Sequence, residues 1–264
     1  MEQKQLEAFK QWFTGYVRPF YTDEDEFLNQ NIQLKECHTH RVCRVMRDLA
    51  GSLGMNDEDC RLAETVALFH DVGRFPQFKQ YRTYKDTISE NHCLLALKVL
   101  SENRVLDCLE EEERAIIERA IEFHGEKELP QLDERTGRFA KMIRDADKID
   151  IFELLVENYR ILAEEPEKFK WELEFPDTPE CNTEIIEAIL NHRLIGYEKL
   201  KTVNDAKLLQ LGWVFDIYFD WSLKWISDHG YLQAIIDLLP KTDEIKAVTT
   251  YIVTYVEQRI ESLK

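Results

Sequence analysis

The chain is poor in the features that would make it anything but a helical protein. Of its 264 residues only nine are glycine and seven proline, too few for a loop-rich or all-β design. No stretch alternates strictly between apolar and polar residues, so a doubly wound sheet is not expected. No apolar run approaches the ~20 residues of a membrane span, and the first thirty residues are polar and charged, without the apolar centre of a secretory leader. The six cysteines, at 37, 43, 60, 93, 108 and 181, include no Cys-x-x-Cys pair. They read as reduced thiols filling small core positions. Cys37 adjoins His38, but the metal pattern below is complete without it. Basic residues are outnumbered: 34 Lys and Arg against 51 Asp and Glu leave a net charge of −17. That excludes polymeric nucleic acid and anionic membranes as natural partners, while leaving room for a small anion in a locally basic pocket. A soluble cytoplasmic protein is expected.

What is present is a ladder of metal-ligating residue types: His38, His70-Asp71, His92, His124 and Asp147. Imidazole and carboxylate together suit Fe, Mn, Ni, Co or Zn, whereas a structural zinc site would be rich in thiolate. One ion needs about four ligands, so six point to two divalent transition-metal ions with Asp71 placed to bridge them. Of the other histidines, His40 competes with His38, but Val42, Val45 and Leu49 share the helical phase of His38. His192 reads as a surface or satisfied core histidine in an amphipathic helix, and His229 as a helix-end residue.

The ladder is spread over segments with helical periodicity. A helix from His38 ends at Gly51 and Gly54; a second, capped by Asn56, runs to His70-Asp71 and stops at Gly73 and Pro76. Residues Arg74 to Ile88 read as a loop. Ser89 is the expected cap of a helix carrying His92, and Glu110 to Glu113 begin one that ends at His124-Gly125. Another carries Phe139, Ile143, Asp147, Ile151 and Leu154. Residues 161–181 read as a surface excursion, followed by helices near 182–202, 205–228 and 242–262. The aromatic cluster from Trp213 to Trp225 reads as core or homodimer packing. With no clear linker, residues 1–264 are expected to form one all-α domain, its core at about 30–160 and a helical extension at 182–264.

Three motifs carry a resemblance: His38-x-x-Arg41-Val42, His70-Asp71-Val72-Gly73-Arg74, and Asp145-Ala146-Asp147-Lys148-Ile149-Asp150. Together they resemble the HD-domain metal-dependent phosphohydrolase superfamily. The resemblance implies an all-α bundle of five or more helices around the metal. It also implies His38, His70, Asp71 and Asp147 as primary ligands, and His92 and His124 as the two extra histidines of dinuclear members. The implied chemistry is hydrolysis of phosphoesters or nucleotides by metal-activated hydroxide. His124 is followed by Gly-Glu-Lys-Glu-Leu-Pro rather than the Gly-Tyr-Pro of cyclic-dinucleotide phosphodiesterases, which disfavours that substrate. Arg74 stands where small 5′-nucleotidases of the superfamily have Glu, closer to the Lys of dinuclear members.

The substrate expectation is a small phosphorylated molecule, a nucleotide among the candidates. Arg74, Lys79, Arg82 and Lys85 lie without an intervening acid among Phe75, Phe78, Tyr81 and Tyr84, a composition suited to clamping phosphate and stacking on a base. Asp71 and Arg74 are thus the expected catalytic residues, with Arg74, Lys79, Arg82 and Lys148 binding substrate. Asp145 is a candidate partner of a ligand. Two rival readings share the ligand set: an HD-fold diiron oxygenase, and a non-catalytic metal-containing nucleotide-binding protein.

Overall fold

Few helix breakers and a repeating apolar face give helices throughout. The computed structural model describes residues 1–164, 175–193 and 196–261, and no strand occurs among the described residues. The chain divides into two compact units, Met1–Asp147 and Lys148–Lys264, the boundary falling within one long helix.

The first unit holds α1 (Gln3–Val17), α2 (Glu26–Ser52), α3 (Asp57–Phe69), α4 (Arg74–Tyr81), α5 (His92–Glu102), α6 (Glu111–Phe123) and the start of α7 (Glu134–Glu164). Asp25 caps α2 by accepting from Leu28 N at 2.8 Å, and Gly54, at φ +65°, turns the chain out of it. Asn56 caps α3, accepting from Asp59 N at 2.9 Å, with Asp57, Glu58 and Asp59 favouring the positive end of the helix dipole. Helix α3 is the hub: it packs on α1, α2 and α6, while α4 packs on α2 and α5, and α5 on α6. Phe9, Phe13, Phe69, Phe75, Ile117, Ile121 and Phe139 are buried between them. Burying one such side chain contributes roughly 1.5–3 kcal/mol. This shared core, more than helix propensity, holds a helix as short as the eight residues of α4.

Two local expectations are corrected here. Residues 74–81 form α4 rather than a loop: Pro76 lies in its first turn, where no N–H is needed. Asn91, not Ser89, caps α5, accepting from Leu94 N at 3.1 Å. The polar N-terminal stretch also contains α1, whose Leu6, Phe9, Phe13 and Val17 line one buried face.

The second unit adds α8 (Thr183–Leu190), α9 (Val203–Gly212), α10 (Asp220–Asp228), α11 (Tyr231–Asp237) and α12 (Asp243–Glu261). Helix α8 packs on α9 and α12, α10 on α11 and α12, and α9 on α11. The helix expected near 182–202 ends at Leu190. The one expected at 205–228 is broken by a 3-10 turn at Trp213–Asp216. His192 lies past the end of α8, at φ 51°, stacked 4.2 Å from Phe215 rather than within a helix. Trp213, Phe215, Tyr218, Phe219, Trp221 and Trp225 are half-buried. Residues 165–174 of the expected surface excursion, and 194, 195 and 262 of the expected helices, lie outside the described residues. No described helix is long and apolar enough to cross a membrane.

Candidate metal centre

All six ladder residues belong to the first unit and converge from five helices. His38 lies in the middle of α2, His70 at the C-cap of α3 with Asp71 directly after it, His92 at the first residue of α5, His124 at the C-cap of α6, and Asp147 within α7. His38, His70, Asp71, His92 and His124 are all buried, and Asp147 is partly exposed. His40, two residues from His38, is exposed and packs edge-on to Phe13 at 5.7 Å.

Two imidazoles are aimed by the same device. His70 Nδ1 lies 2.7 Å from Ala67 O, and His124 Nδ1 lies 2.7 Å from Ile121 O. Each ring thus satisfies an orphan carbonyl at its own helix C-terminus. A carbonyl only accepts, so Nδ1 carries the proton and Nε2 is turned inward. His92 Nδ1 is held in the same sense by Asp86 Oδ2 at 2.6 Å.

The inward atoms form two groups that meet at one carboxylate. His38 Nε2 lies 3.3 Å from His70 Nε2, 3.2 Å from Asp147 Oδ1 and 3.5 Å from Asp71 Oδ2; His70 Nε2 lies 3.7 Å from the same Asp71 oxygen. On the other side, His92 and His124 bring their Nε2 atoms to 3.1 Å of each other, and to 3.7 and 3.8 Å of Asp71 Oδ1. Donors on one ion at about 2.0–2.1 Å stand roughly 3–3.4 Å apart. The separations within each histidine pair and from His38 to Asp147 match that spacing, and Asp71, a few tenths of an ångström wider, offers one oxygen to each group.

The electrostatics agree with that fit. Burial takes the His70 imidazole down to about 4, despite Asp71 beside it, so Nε2 bears a lone pair near neutral pH. Burial opposes ionisation of Asp71, but Lys35, then His70, His124 and His38, hold its carboxyl well below the usual range. Asp147 is likewise held low, His38 and His70 overcoming burial. His124 is pushed well up by Cys93 and Asp71 against its own burial. So many acceptors facing one centre favour a positive charge there, which is what a bound cation would provide.

Several residues at the site carry no motif. Lys35, one helical turn before His38, places Nζ 2.8 Å from Asp71 Oδ2. Asp86, in a 3-10 turn, anchors His92 and also accepts from Arg74 at 2.9 Å and Gln77 at 2.8 Å. Its carboxyl is brought down to about 2, chiefly because His92 outweighs burial. Arg144, buried one turn before Asp147, donates to the carbonyls of Phe123, His124, Glu126 and Lys127 and so pins the segment carrying His124. Cys93, expected to be a plain core residue, faces both His92 and His124. Only Lys35, Cys93 and Arg144 had a signal in the sequence, namely a place beside or one turn from a ligand. Exposed Cys37 does not belong with them.

The expected substrate residues separate. Arg74 Nε stands 3.5 Å from Asp71 Oδ1, and its guanidinium also reaches Tyr84 O at 2.6 Å. Lys79, on the exposed face of α4, sits over the Phe20 ring at 5.4 Å. Arg82, in a left-handed conformation after α4, pairs with Asp25 at 2.7 Å. Lys148 belongs to the second unit and pairs with Asp216 at 2.8 Å. Asp145 is fully buried.

Asp86→Ala is expected to weaken metal binding at the His92–His124 side by about 10–100-fold, the usual consequence of removing a ligand's hydrogen-bond partner. Competition with a chelator of known affinity measures it; unchanged affinity would show that Asp86 does not orient His92.

The family model of the HD domain matches residues 36–151, a span containing every ladder residue. No curated protein and no solved structure matches the chain. HD domains bind divalent metals, and the two clusters of His, Asp and Cys can hold them. Over residues 36–151, somewhat less than half of its length, the chain matches the HD domain, consistent with the HD-domain metal-dependent phosphohydrolase superfamily.

Proposed function

We propose that the protein is a metal-dependent phosphohydrolase that cleaves a small phosphorylated molecule, a nucleotide being one candidate. The observation that carries this reading is Asp71: each of its oxygens faces one histidine pair, and each has a cation beside it, Lys35 at Oδ2 and Arg74 at Oδ1. His38, His70, Asp71 and Asp147 would hold one divalent ion, and His92, His124 and Asp71 a second, of Fe, Mn, Ni, Co or Zn. Such ions lower the pKa of water and neutralise charge on phosphoryl oxygens.

The chain's own residues do the rest. Lys35 and Arg74 supply positive charge on either side of the carboxylate, suited to the oxygens of a transferring phosphoryl group. Tyr84, whose ring lies beneath Lys35 at 5.4 Å and Arg74 at 5.8 Å, offers an aromatic face at the same place. Lys79, exposed and over the Phe20 ring at 5.4 Å, is retained as a phosphate contact. Arg82 and Lys148 would first have to leave Asp25 and Asp216.

The deciding assay follows inorganic phosphate under anaerobic conditions, with each divalent metal in turn and a panel of phosphomonoesters and nucleotides. Release that stops with chelator and in His70→Ala supports the proposal. In a parallel reaction under air, oxygen consumption without phosphate release would replace it with the oxygenase reading, and binding without turnover across the panel with the non-catalytic one. Within that assay, Lys35→Ala is expected to lower kcat/KM by about tenfold or more, since a charge-assisted hydrogen bond contributes roughly 1.5–3 kcal/mol. Unchanged kinetics would remove Lys35 from the substrate site.

A further inference from the structure

The two halves of the ladder differ in one respect that the His and Asp count conceals. Beside His38, His70 and Asp147 the inward donors are nitrogen and oxygen. Beside His92 and His124 there is sulfur. Cys93 Sγ lies 3.5 Å from the inward nitrogen of His92, Nε2, it borders the His124 ring at Nδ1, and the side chain is 1% exposed; one ligand atom from each of the three residues lies within 4.8 Å of the others. A nitrogen and a sulfur on one tetrahedral ion, at about 2.0–2.1 and 2.3 Å, stand roughly 3.6 Å apart.

Cys93 is not placed as an ordinary buried cysteine. Cys43, also buried, directs its thiol to the backbone carbonyl of Glu64 at 3.7 Å, within the apolar packing of α2 and α3. Cys93 instead occupies the second position of α5, just inside the Asn91 cap, where the helix dipole favours a thiolate. The chain also keeps space around it. A Cβ on Gly125 would come within 3.0 Å of Cys93 Sγ and 3.0 Å of His92 Cε1, so glycine there lets the sulfur and the ring lie together.

We infer that Cys93 is a thiolate ligand at the second metal position, giving it a donor set of His92, His124, Asp71 Oδ1 and Cys93 while the first position has nitrogen and oxygen alone. This rests on the metal centre proposed above and makes its two positions chemically unlike. The thiol proton passes to solvent as the sulfur takes up the ion. Thiolate selects zinc and other borderline or soft ions, so the second position favours zinc more strongly than the first.

Cobalt(II) reports the difference directly, because a thiolate on cobalt adds a charge-transfer band in the near ultraviolet that nitrogen and oxygen ligands lack. The full chain, loaded anaerobically with cobalt and assayed for cobalt content, is expected to show that band. Cys93→Ser and Cys93→Ala should lose it, and Cys43→Ser should keep it. Cobalt bound to the wild type without the band, or a band that survives in both Cys93 variants, overturns the assignment and leaves the metal centre standing. No cobalt in the wild type overturns the centre and the cysteine ligand together. If the Cys93 variants do not fold, X-ray absorption at the zinc edge of the wild type decides: a sulfur shell at about 2.3 Å supports the assignment, and a purely nitrogen and oxygen shell refutes it.

Discussion

Asp71→Ala is expected to empty both metal positions at once. No other ladder residue should do so. Removing His70 or Asp147 takes a donor from the first position, and removing His92 or His124 takes one from the second. Asp71 faces both, with Oδ2 toward His38 and His70 and Oδ1 toward His92 and His124. The substitution also removes the carboxylate that Lys35 and Arg74 flank, although Arg74 keeps its contact with Asp86 at 2.9 Å. Elemental analysis of anaerobically purified protein should give near-zero metal for Asp71→Ala, against partial loss in His92→Ala and His124→Ala. Turnover should vanish with the metal. Metal content matching wild type would refute the bridging role, and full activity would refute the hydrolytic reading built on it. Asp71→Asn is the milder comparison: it keeps the shape and one oxygen, so retention at one position alone would show which oxygen matters.

The second large effect is expected at a residue with no side chain to offer a metal, Gly73. This residue joins the His70-Asp71 turn to α4 and lies directly against α5. A Cβ there would overlap the carbonyl oxygen of His92 and stand 2.6 Å from Ala96 N and 2.9 Å from Leu95 Cβ. Two of these three neighbours are helix backbone, which cannot turn aside as a flexible side chain can. Gly73→Ala therefore has to push α5 away, and His92, the first residue of that helix, moves with it. Overpacking of this kind destabilises by roughly 1–3 kcal/mol or more. Gly51 provides the contrast. It lies within α2 with nothing within 4 Å of its missing Cβ, so Gly51→Ala should stabilise by about 0.5–1 kcal/mol. Urea denaturation of the two variants should shift midpoints in opposite directions. A Gly73→Ala protein as stable as wild type would show that α5 does not pack on this turn as tightly as described.

Much of the candidate site was legible in the chain because metal chemistry restricts residue type. His70-Asp71, closed by Asp147, is an unusual combination in a helical pattern, and His38 could be preferred over His40 because Val42, Val45 and Leu49 share its phase. The cap Asn56 and the acidic start of α6 were legible for a different reason: helix ends leave unsatisfied N–H groups and a positive dipole end, which a capping side chain and nearby carboxylates satisfy locally. What failed was mostly local punctuation. Pro76 reads as a stop, yet it is harmless in a first turn. Ser89 and Asn91 are both good caps, and their order in the sequence does not say which is used. The polar start of the chain conceals α1 because one buried residue in every three or four is enough to hold a helix against a core.

The sequence by itself determined the helical class, the metal-ligating residue types and their order, since periodicity and donor chemistry are properties of residues taken a few at a time. Only the tertiary structure decided that Asp71 turns one oxygen to each histidine pair, that Lys35 and Arg74 flank it, that Asp86 holds His92, and that Cys93 stands against two imidazoles. It also sent Arg82 and Lys148 to Asp25 and Asp216. These are relations between side chains on different helices, and their distances depend on how α2, α3, α5 and α6 pack. Nothing in a stretch of a few residues encodes a separation of 3 Å to a partner tens of residues away.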